Sequence, residues 1–422
     1  MDSGNYTITG EYRERTAMNP VAARFARYAA IDTASSADSG EYPSTPCQMD
    51  LLRLLEGELT EMGMDKVHLS REGVLYASLP GGKKGVTIGL IAHVDTSPEA
   101  PGSGVQPVFH RNWDGRPIEL AEGQVIHPAD CEDIERYKGG TIITSDGTTL
   151  LGADDKAGVA IIMEACRWFL ENPEVPRPGI AVAFTPDEEV GRGVDNFDLG
   201  RFNADLAYTV DGGKVTEISS ETFNAWSANW SITGKEVHPG SARGIMVNAA
   251  RIAGELISLL PGEEMPENSS GVQGYDYPLS VKGTTGFARV SCILRDFTGE
   301  GMELRRKRME AVKLYLESRF PGAVIDLEMK EQYRNPGEIL RKDRRLIDFA
   351  LEGFRGCGLN VSEGAIRGGT DGSRLSFMGI PTANLPTGGE LFHSRREWIA
   401  AEGMEIALEG LRRTLIIWGE NL

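Results

Sequence analysis

The stretch GIAVAFTPDEEVG, Gly179 to Gly191, runs an apolar strand directly into three consecutive acids, Asp187, Glu188 and Glu189. Its first six residues lack the in-and-out alternation of a strand wetted on one side. A strand of that kind is covered on both faces, as in a mostly parallel sheet with helices above and below. Clustered charge at the end of such a strand is costly unless something of opposite charge neutralises it.

Two further runs share this character, GVTIGLIA (Gly85 to Ala92) and DLAYTV (Asp205 to Val210). Helical spacing lies between them in KAGVAIIMEACRWFL (Lys156 to Leu170). It also precedes them, in Asn19 to Tyr28 and in QMDLLRLLEGELTEMGM (Gln48 to Met64), ahead of a strand near Gly73 to Ser78. Alternating strands and helices define an α/β class. The expected fold is therefore a mostly parallel mixed sheet with helices on both faces.

After Asp211 the pattern changes. AWSANWSITG reads as a strand, Asn248 to Leu260 as a helix, PGEEMPENSSG as a loop, ARVSCILRDF as a strand and MELRRKRMEAVKLYLESRF as a charged helix. This order predicts a compact α+β insertion over residues 217–332, which divides the larger domain into 1–216 and 333–422. The second part is expected to hold a helix from Arg344 to Phe354, a glycine-rich loop IRGGTDGS, a short strand in PTANLPTGG and a closing helix from Glu402 to Ile417. A chain of 422 residues exceeds what one hydrophobic core usually supports, in keeping with more than one domain.

Charge and composition narrow the partners. Sixty-two acidic against 44 basic residues give a net charge of −18, which repels phosphate backbones and anionic membranes. Nucleic acid and membranes are not expected partners. The first fifteen residues, MDSGNYTITGEYRER, lack the basic start and apolar core of a secretory signal, so the cytoplasm is the expected location. Five scattered cysteines with no CxxC pair indicate neither a disulfide framework nor a thiolate metal site.

The residues with chemistry in them gather at the ends of the predicted strands. His93 and Asp95 follow GVTIGLIA, Glu188 and Glu189 follow GIAVAF, and Asp211 follows DLAYTV. Ligand sites of open α/β sheets lie at these carboxyl ends. GADDKAG sets Asp154 and Asp155 at the start of a helix, where capping is the plain alternative. His393 stands alone in GGELFHSRREW. Two histidines with several carboxylates suit zinc or a similar divalent metal, which would also remove the repulsion among the acids.

HVDTSPE, TLLGADDKAG, TPDEEVG, TVDGG, VHPGSARG, IRGGTDGSRLSFMG and the late His393 together resemble the tripeptide aminopeptidases of the di-zinc exopeptidase superfamily, which also holds aminoacylase and carboxypeptidase relatives. The resemblance runs from about Asn19 to the end of the chain. It implies two zinc ions per chain, with cobalt or manganese as substitutes, one bound by His93, Asp154 and Asp211 and the other by Asp154, Glu189 and His393. It makes Glu188 the general base, has Asp95 hold His93, and leaves Asp187 only to shape the turn. The insertion becomes a four-stranded, ferredoxin-like lid and, as in many relatives, a surface for pairing two copies. His238 would stabilise the oxyanion, while Asn248, Arg295 and Arg367 would grip the carbonyls or carboxylate of the peptide.

The expected activity is release of the amino-terminal residue from short peptides, chiefly tripeptides with a free amino end. A dipeptidase, an aminoacylase-type amidohydrolase or a carboxypeptidase with the same di-zinc centre is the alternative; a non-catalytic binding protein would not need Glu188. SRREW after His393 and the amino-terminal extension depart from the family pattern, which bears on substrate range rather than on the metal ligands.

Overall fold

The computed structural model describes residues 19–81 and 85–422, and the amino-terminal extension lies outside the described residues. The chain divides into two compact units, the larger comprising residues up to 220, 338–364 and 370–422, the smaller 221–337 and 365–369. Against the expected 217–332, the smaller unit starts at Glu221, because the strand that begins at Glu217 joins the large sheet, and runs past a strand ending at Tyr333 to take in a second segment, 365–369.

The larger unit begins with helices α1 (Pro20–Ala29) and α2 (Gln48–Met62). Strands β1 (Asp65–Leu69), β2 (Leu75–Leu79) and β3 (Thr87–His93) follow. Helix α3 (Ala153–Glu171) leads to β4 (Gly179–Thr185), β5 (Leu206–Gly212) and β6 (Glu217–Thr222). Asn19 caps α1, its side-chain oxygen accepting the N–H of Val21 at 3.0 Å, with Pro20 at the first helical position.

In the smaller unit β7 (Asn224–Thr233), α4 (Ala249–Ser258), β8 (Tyr275–Gly283), β9 (Phe287–Asp296), α5 (Gly299–Arg319) and β10 (Val324–Tyr333) form a βαββαβ chain. The strands lie in the antiparallel order β8-β9-β7-β10, a ferredoxin-like arrangement. Trp230, Ile232, Ile252, Leu256, Val290, Leu294, Met309 and Leu316 fill the core between sheet and helices. Read residue by residue, the sequence showed only β7 and β9; β8 and β10 lie at the sheet edges and interleave exposed Ser, Lys, Asp and Glu, which hides their strand character.

The chain then adds α6 (Arg345–Arg355), β11 (Ser362–Ile366), α7 (Asp371–Met378), β12 (Thr382–Pro386) and α8 (Ala401–Glu420). Helix α7 replaces part of the expected glycine-rich loop, because Thr370 and Ser373 form a capping box that starts a helix directly after the glycines. The large sheet has the order β1-β2-β4-β3-β5-β12-β6-β11. Its centre, β4-β3-β5-β12, is parallel, while β1 and β2 pair antiparallel with their neighbours and β6 pairs antiparallel with β12. One face buries Leu90, Val182, Tyr208 and Leu385 against α1, α2, α3, α6 and α8. The other buries Ile91, Ala183 and Ala207 against Phe202 and Leu375.

Gly158 of GADDKAG explains how closely α3 sits on β5. A β-carbon there would stand 1.8 Å from the carbonyl oxygen of Val210, so only glycine permits the approach. This contact brings the start of α3, with Asp154, beside the end of β5, with Asp211.

Candidate metal centre

The four parallel strands deliver the expected residues to one end of the sheet. His93 is the last residue of β3 and pairs in register with Thr185, the last of β4, after which the chain turns through Asp187, Glu188 and Glu189. Asp211 lies in β5, Asp154 opens α3, and His393 comes from the loop after β12. Two groups have ligand atoms within 4.8 Å of one another: His93, Asp154 and Asp211, and Asp154, Glu189 and His393.

Asp154 belongs to both groups. Its Oδ1 lies 2.9 Å from His93 Nε2 and its Oδ2 lies 3.2 Å from His393 Nε2. His93 Nε2 is also 3.6 Å from Asp211 Oδ1, and His393 Nε2 is 2.9 Å from Glu189 Oε2. Donor atoms about 2.1 Å from a tetrahedral ion stand roughly 3.4 Å apart, and the observed separations bracket that value. Glu189 Oε1 is buried without a hydrogen-bond partner, as expected of a ligand oxygen whose partner is an ion. The donor set therefore fits a pair of divalent ions.

The other nitrogen of each ring faces away from these groups. His93 Nδ1 lies 3.0 Å from the carbonyl oxygen of Asp95 and 3.3 Å from its Oδ1. A proton on Nδ1 shared with Asp95 leaves the Nε2 lone pair free for an ion held together with Asp154 and Asp211. His393 Nδ1 lies 3.3 Å from Glu99 Oε2. Asp95 does more than orient His93, because its two carboxylate oxygens accept the backbone N–H groups of Glu188 (3.0 Å) and Glu189 (3.2 Å).

Without ions the charges compete for protons. Burial pulls His93 down, but hydrogen bonds to Asp154, Asp211 and Asp95 outweigh it and hold the ring well above its ordinary value. Burial likewise opposes His393, yet Asp154 and Glu189 push it up to about 11. Burial and the charge of Asp154 raise Glu189 to about 8 and Asp211 to about 6. Burial, with Asp211, Asp371 and Glu189 nearby, lifts Glu188 well above the carboxylate range. Asp154 alone moves down, because its bonds to both histidines outweigh its burial.

The remaining expected residues lie in the smaller unit. His238 is exposed and its Nδ1 accepts the N–H of Gly240 at 3.1 Å. Asn248 caps α4 by accepting the N–H of Arg251 at 3.2 Å. Arg295 donates to the carbonyl of Leu294 at 3.0 Å and lies over the ring of Tyr333. Arg367 donates from Nη1 to the carbonyls of Gly271 (2.7 Å) and Gln273 (2.8 Å).

Three further carboxylates lie beside the ligands: Asp155, for which capping was the plain alternative, Asp187, expected only to shape the turn, and Glu397, which sequence reasoning passed over. Asp155 accepts the N–H of His93 (3.2 Å) and of Gly158 (3.1 Å), joining β3 to α3. Asp187 is fully buried and accepts the N–H of Ser44 and the amide of Gln48. Glu397, inside SRREW, is buried against the loop that opens α3. For Glu397 the only available signal was position, four residues after His393. The two arginines of SRREW pair with Glu122 and Asp130.

Fold and site together define a metal-dependent exopeptidase architecture, and the chain belongs to peptidase family M20/M25/M40, whose model matches residues 146–416. It is a peptide hydrolase. Among its relatives is Peptidase T of Clostridium perfringens (strain ATCC 13124), 42% identical over 406 residues that cover 96% of this chain and 100% of that protein. Peptidase T of Geobacillus sp. (strain WCH70) is 43% identical over 390 residues, 92% of this chain and 95% of the relative. The aminopeptidase PepT structure from Bacillus cereus shares the fold at a TM-score of 0.72 and 24% identity, covering 95% of this chain and 98% of its own. A Staphylococcus aureus tripeptidase structure shares it at a TM-score of 0.75 and 20% identity, covering 96% and 99%.

Proposed function

We propose that the protein is a metallo-aminopeptidase that releases the amino-terminal residue from tripeptides with a free amino end. The observation that carries the reading is Asp154, which directs one carboxylate oxygen to each of two histidines, with Glu188 on the adjoining turn. The relatives named Peptidase T, and the neighbours titled aminopeptidase and tripeptidase, support the substrate class.

His93, Asp154 and Asp211 would hold one ion, and Asp154, Glu189 and His393 the other. Mixed imidazole and carboxylate ligation suits zinc, with cobalt or manganese as substitutes. Bound there, the ions supply Lewis acidity, which lowers the proton affinity of a water and polarises the scissile carbonyl. The charge of bound ions would offset the burial and repulsion that keep Glu188 protonated without them, and its carboxylate then takes the proton of the attacking water and hands it to the leaving amine nitrogen. Asp95 fixes the ring of His93 and the backbone of the Glu188–Glu189 turn at once, so ligand and proton carrier are oriented together.

By family resemblance the smaller unit acts as a lid and a pairing surface. His238 then donates to the carbonyl oxygen as it gains charge, and Asn248, Arg295 and Arg367 hold the carbonyls and carboxyl end of the peptide. No helix among the described residues is long and apolar enough to cross a membrane. We place the protein in the cytoplasm.

A panel of free, N-acetylated and C-amidated di- and tripeptides, assayed with added zinc, tests the reading. Free tripeptides are expected to lose their first residue fastest. Faster hydrolysis of N-acetylated than of free peptides would overturn the aminopeptidase assignment in favour of the aminoacylase or carboxypeptidase type.

A further inference from the structure

One buried carboxylate beside the metal centre has no part in that scheme. Glu397 is 1% exposed and lies four residues after His393. Its Oε2 accepts the backbone N–H groups of Leu151 (2.7 Å) and Gly152 (2.8 Å), and its Oε1 accepts that of Asp154 (3.0 Å). A side chain on the His393 segment thus ties down the backbone of the aspartate shared by both ligand groups.

The His393 segment is itself held in an unfavourable shape. Leu391 and His393 have φ of 57° and 59°, a left-handed region that disfavours residues with a β-carbon. Contacts around them maintain it: Ser394 Oγ donates to the carbonyl of Leu391 at 2.7 Å. Upstream, Glu390 accepts the N–H groups of Glu132 (2.9 Å) and Asp133 (2.8 Å). The segment is therefore anchored by one glutamate at each end, and Glu397 is the one that reaches a ligand residue.

From this geometry we infer that Glu397 is a positioning residue for the metal centre: its carboxylate couples the Asp154 loop to the His393 segment and so sets the ion position shared by Asp154, Glu189 and His393. The inference rests on the two-ion reading above. That ion has two ligands, Asp154 and His393, whose backbone hangs on Glu397, whereas the ion of His93, Asp154 and Asp211 has one. Disturbing Glu397 should therefore weaken the two ions unequally.

Glu397→Gln keeps the volume but not the bonds. Three N–H donors converge on the side chain, and a carboxamide offers one oxygen and an NH2 group. The orientation that loses fewest bonds keeps Leu151 and Gly152 on the oxygen and sets the NH2 against the N–H of Asp154.

Stepwise cobalt(II) titration of metal-free wild-type and Glu397→Gln proteins, read by visible absorption with metal analysis, tests this. Wild type is expected to bind two ions. In the variant the dissociation constant of the ion that His393→Ala loses should rise by about tenfold or more relative to that of the other ion, within the roughly 10–100-fold that partners of metal ligands contribute. A smaller rise, whether both affinities fall together or neither changes, overturns the role of Glu397 and leaves the two-ion reading intact. Fewer than two ions on wild type removes both. Amide exchange on wild type covers the case of a variant that does not fold. The N–H groups of Leu151, Gly152 and Asp154 should be as protected without metal as with it; protection appearing only on metal addition overturns the inference.

Discussion

Asp187 and Gln48 are joined by two hydrogen bonds across 139 residues of chain: Gln48 Nε2 donates to Asp187 Oδ1 at 2.8 Å, and the Asp187 N–H donates to Gln48 Oε1 at 3.1 Å. The N–H of Ser44 occupies the other carboxylate oxygen at 2.7 Å. Asp187 has a φ of 58° and precedes Glu188 and Glu189, so this clasp fixes the turn that presents both.

Asp187→Asn isolates the clasp, because asparagine tolerates the left-handed conformation as well as aspartate does. Its amide must face either the N–H of Ser44 or the Nε2 of Gln48, so one of these bonds is lost in either orientation, and the charge that pairs with Arg192 is lost in both. The expected loss is about 1–3 kcal/mol of stability, measured by denaturant unfolding of the metal-loaded protein. Turnover should fall with little change in KM. A variant with wild-type stability and turnover would return Asp187 to a passive place in the turn.

Glu188→Gln removes the proton carrier while leaving the ligand atoms of His93, Asp154, Glu189, Asp211 and His393 in place. Turnover is expected to drop by roughly 10²–10⁴-fold, the usual contribution of a positioned acid–base group. Metal analysis should still find two ions per chain. An active Glu188→Gln enzyme would require a different proton carrier.

Metal uptake should release protons. In the metal-free protein the carboxylates hold His93 well above its ordinary value and His393 at about 11, and burial holds Glu189 at about 8. All three are largely protonated at neutral pH and must lose those protons to bind ions, so affinity rises with pH and falls on acidification. Titration calorimetry in two buffers of different ionisation enthalpy should report about two or more protons released as the two ions bind. Uptake without proton release would place the ions elsewhere.

The legible parts of this molecule were those in which one residue type has one meaning. GVTIGLIA, GIAVAF and DLAYTV announced buried strands because no alternation of polar and apolar residues runs through them, and their ends pointed to His93, Glu188, Glu189 and Asp211. The division of labour between Asp154 and Asp155 came from family resemblance, since neighbouring aspartates look alike until one is seen facing two histidines and the other capping backbone N–H groups. Strands β8 and β10 were hidden by the polar residues of exposed edges. Glu397 was illegible, and Asp187 legible only as a residue that shapes the turn, for another reason: their partners, the 151–154 loop and Gln48, are far away in sequence, and a carboxylate that accepts backbone N–H groups leaves no local pattern.

Arg367 connects the sequence expectation to a structural cost. Its Nη1 donates to the carbonyls of Gly271 and Gln273 and its Nη2 to Ser269 Oγ at 2.7 Å, while its guanidinium lies 5.2 Å from the ring centre of Phe223 and 5.7 Å from that of Tyr275. Lysine keeps the charge but cannot reproduce the planar fork or the stacking. Arg367→Lys is therefore expected to cost about 2–3 kcal/mol of stability, and to raise exchange at residues 269–273 in hydrogen-exchange measurements. If the guanidinium also holds the peptide, KM for tripeptides should rise more than kcat falls. A variant of unchanged stability with only KM altered would show that the contacts to 269–273 contribute nothing and that Arg367 serves the peptide alone.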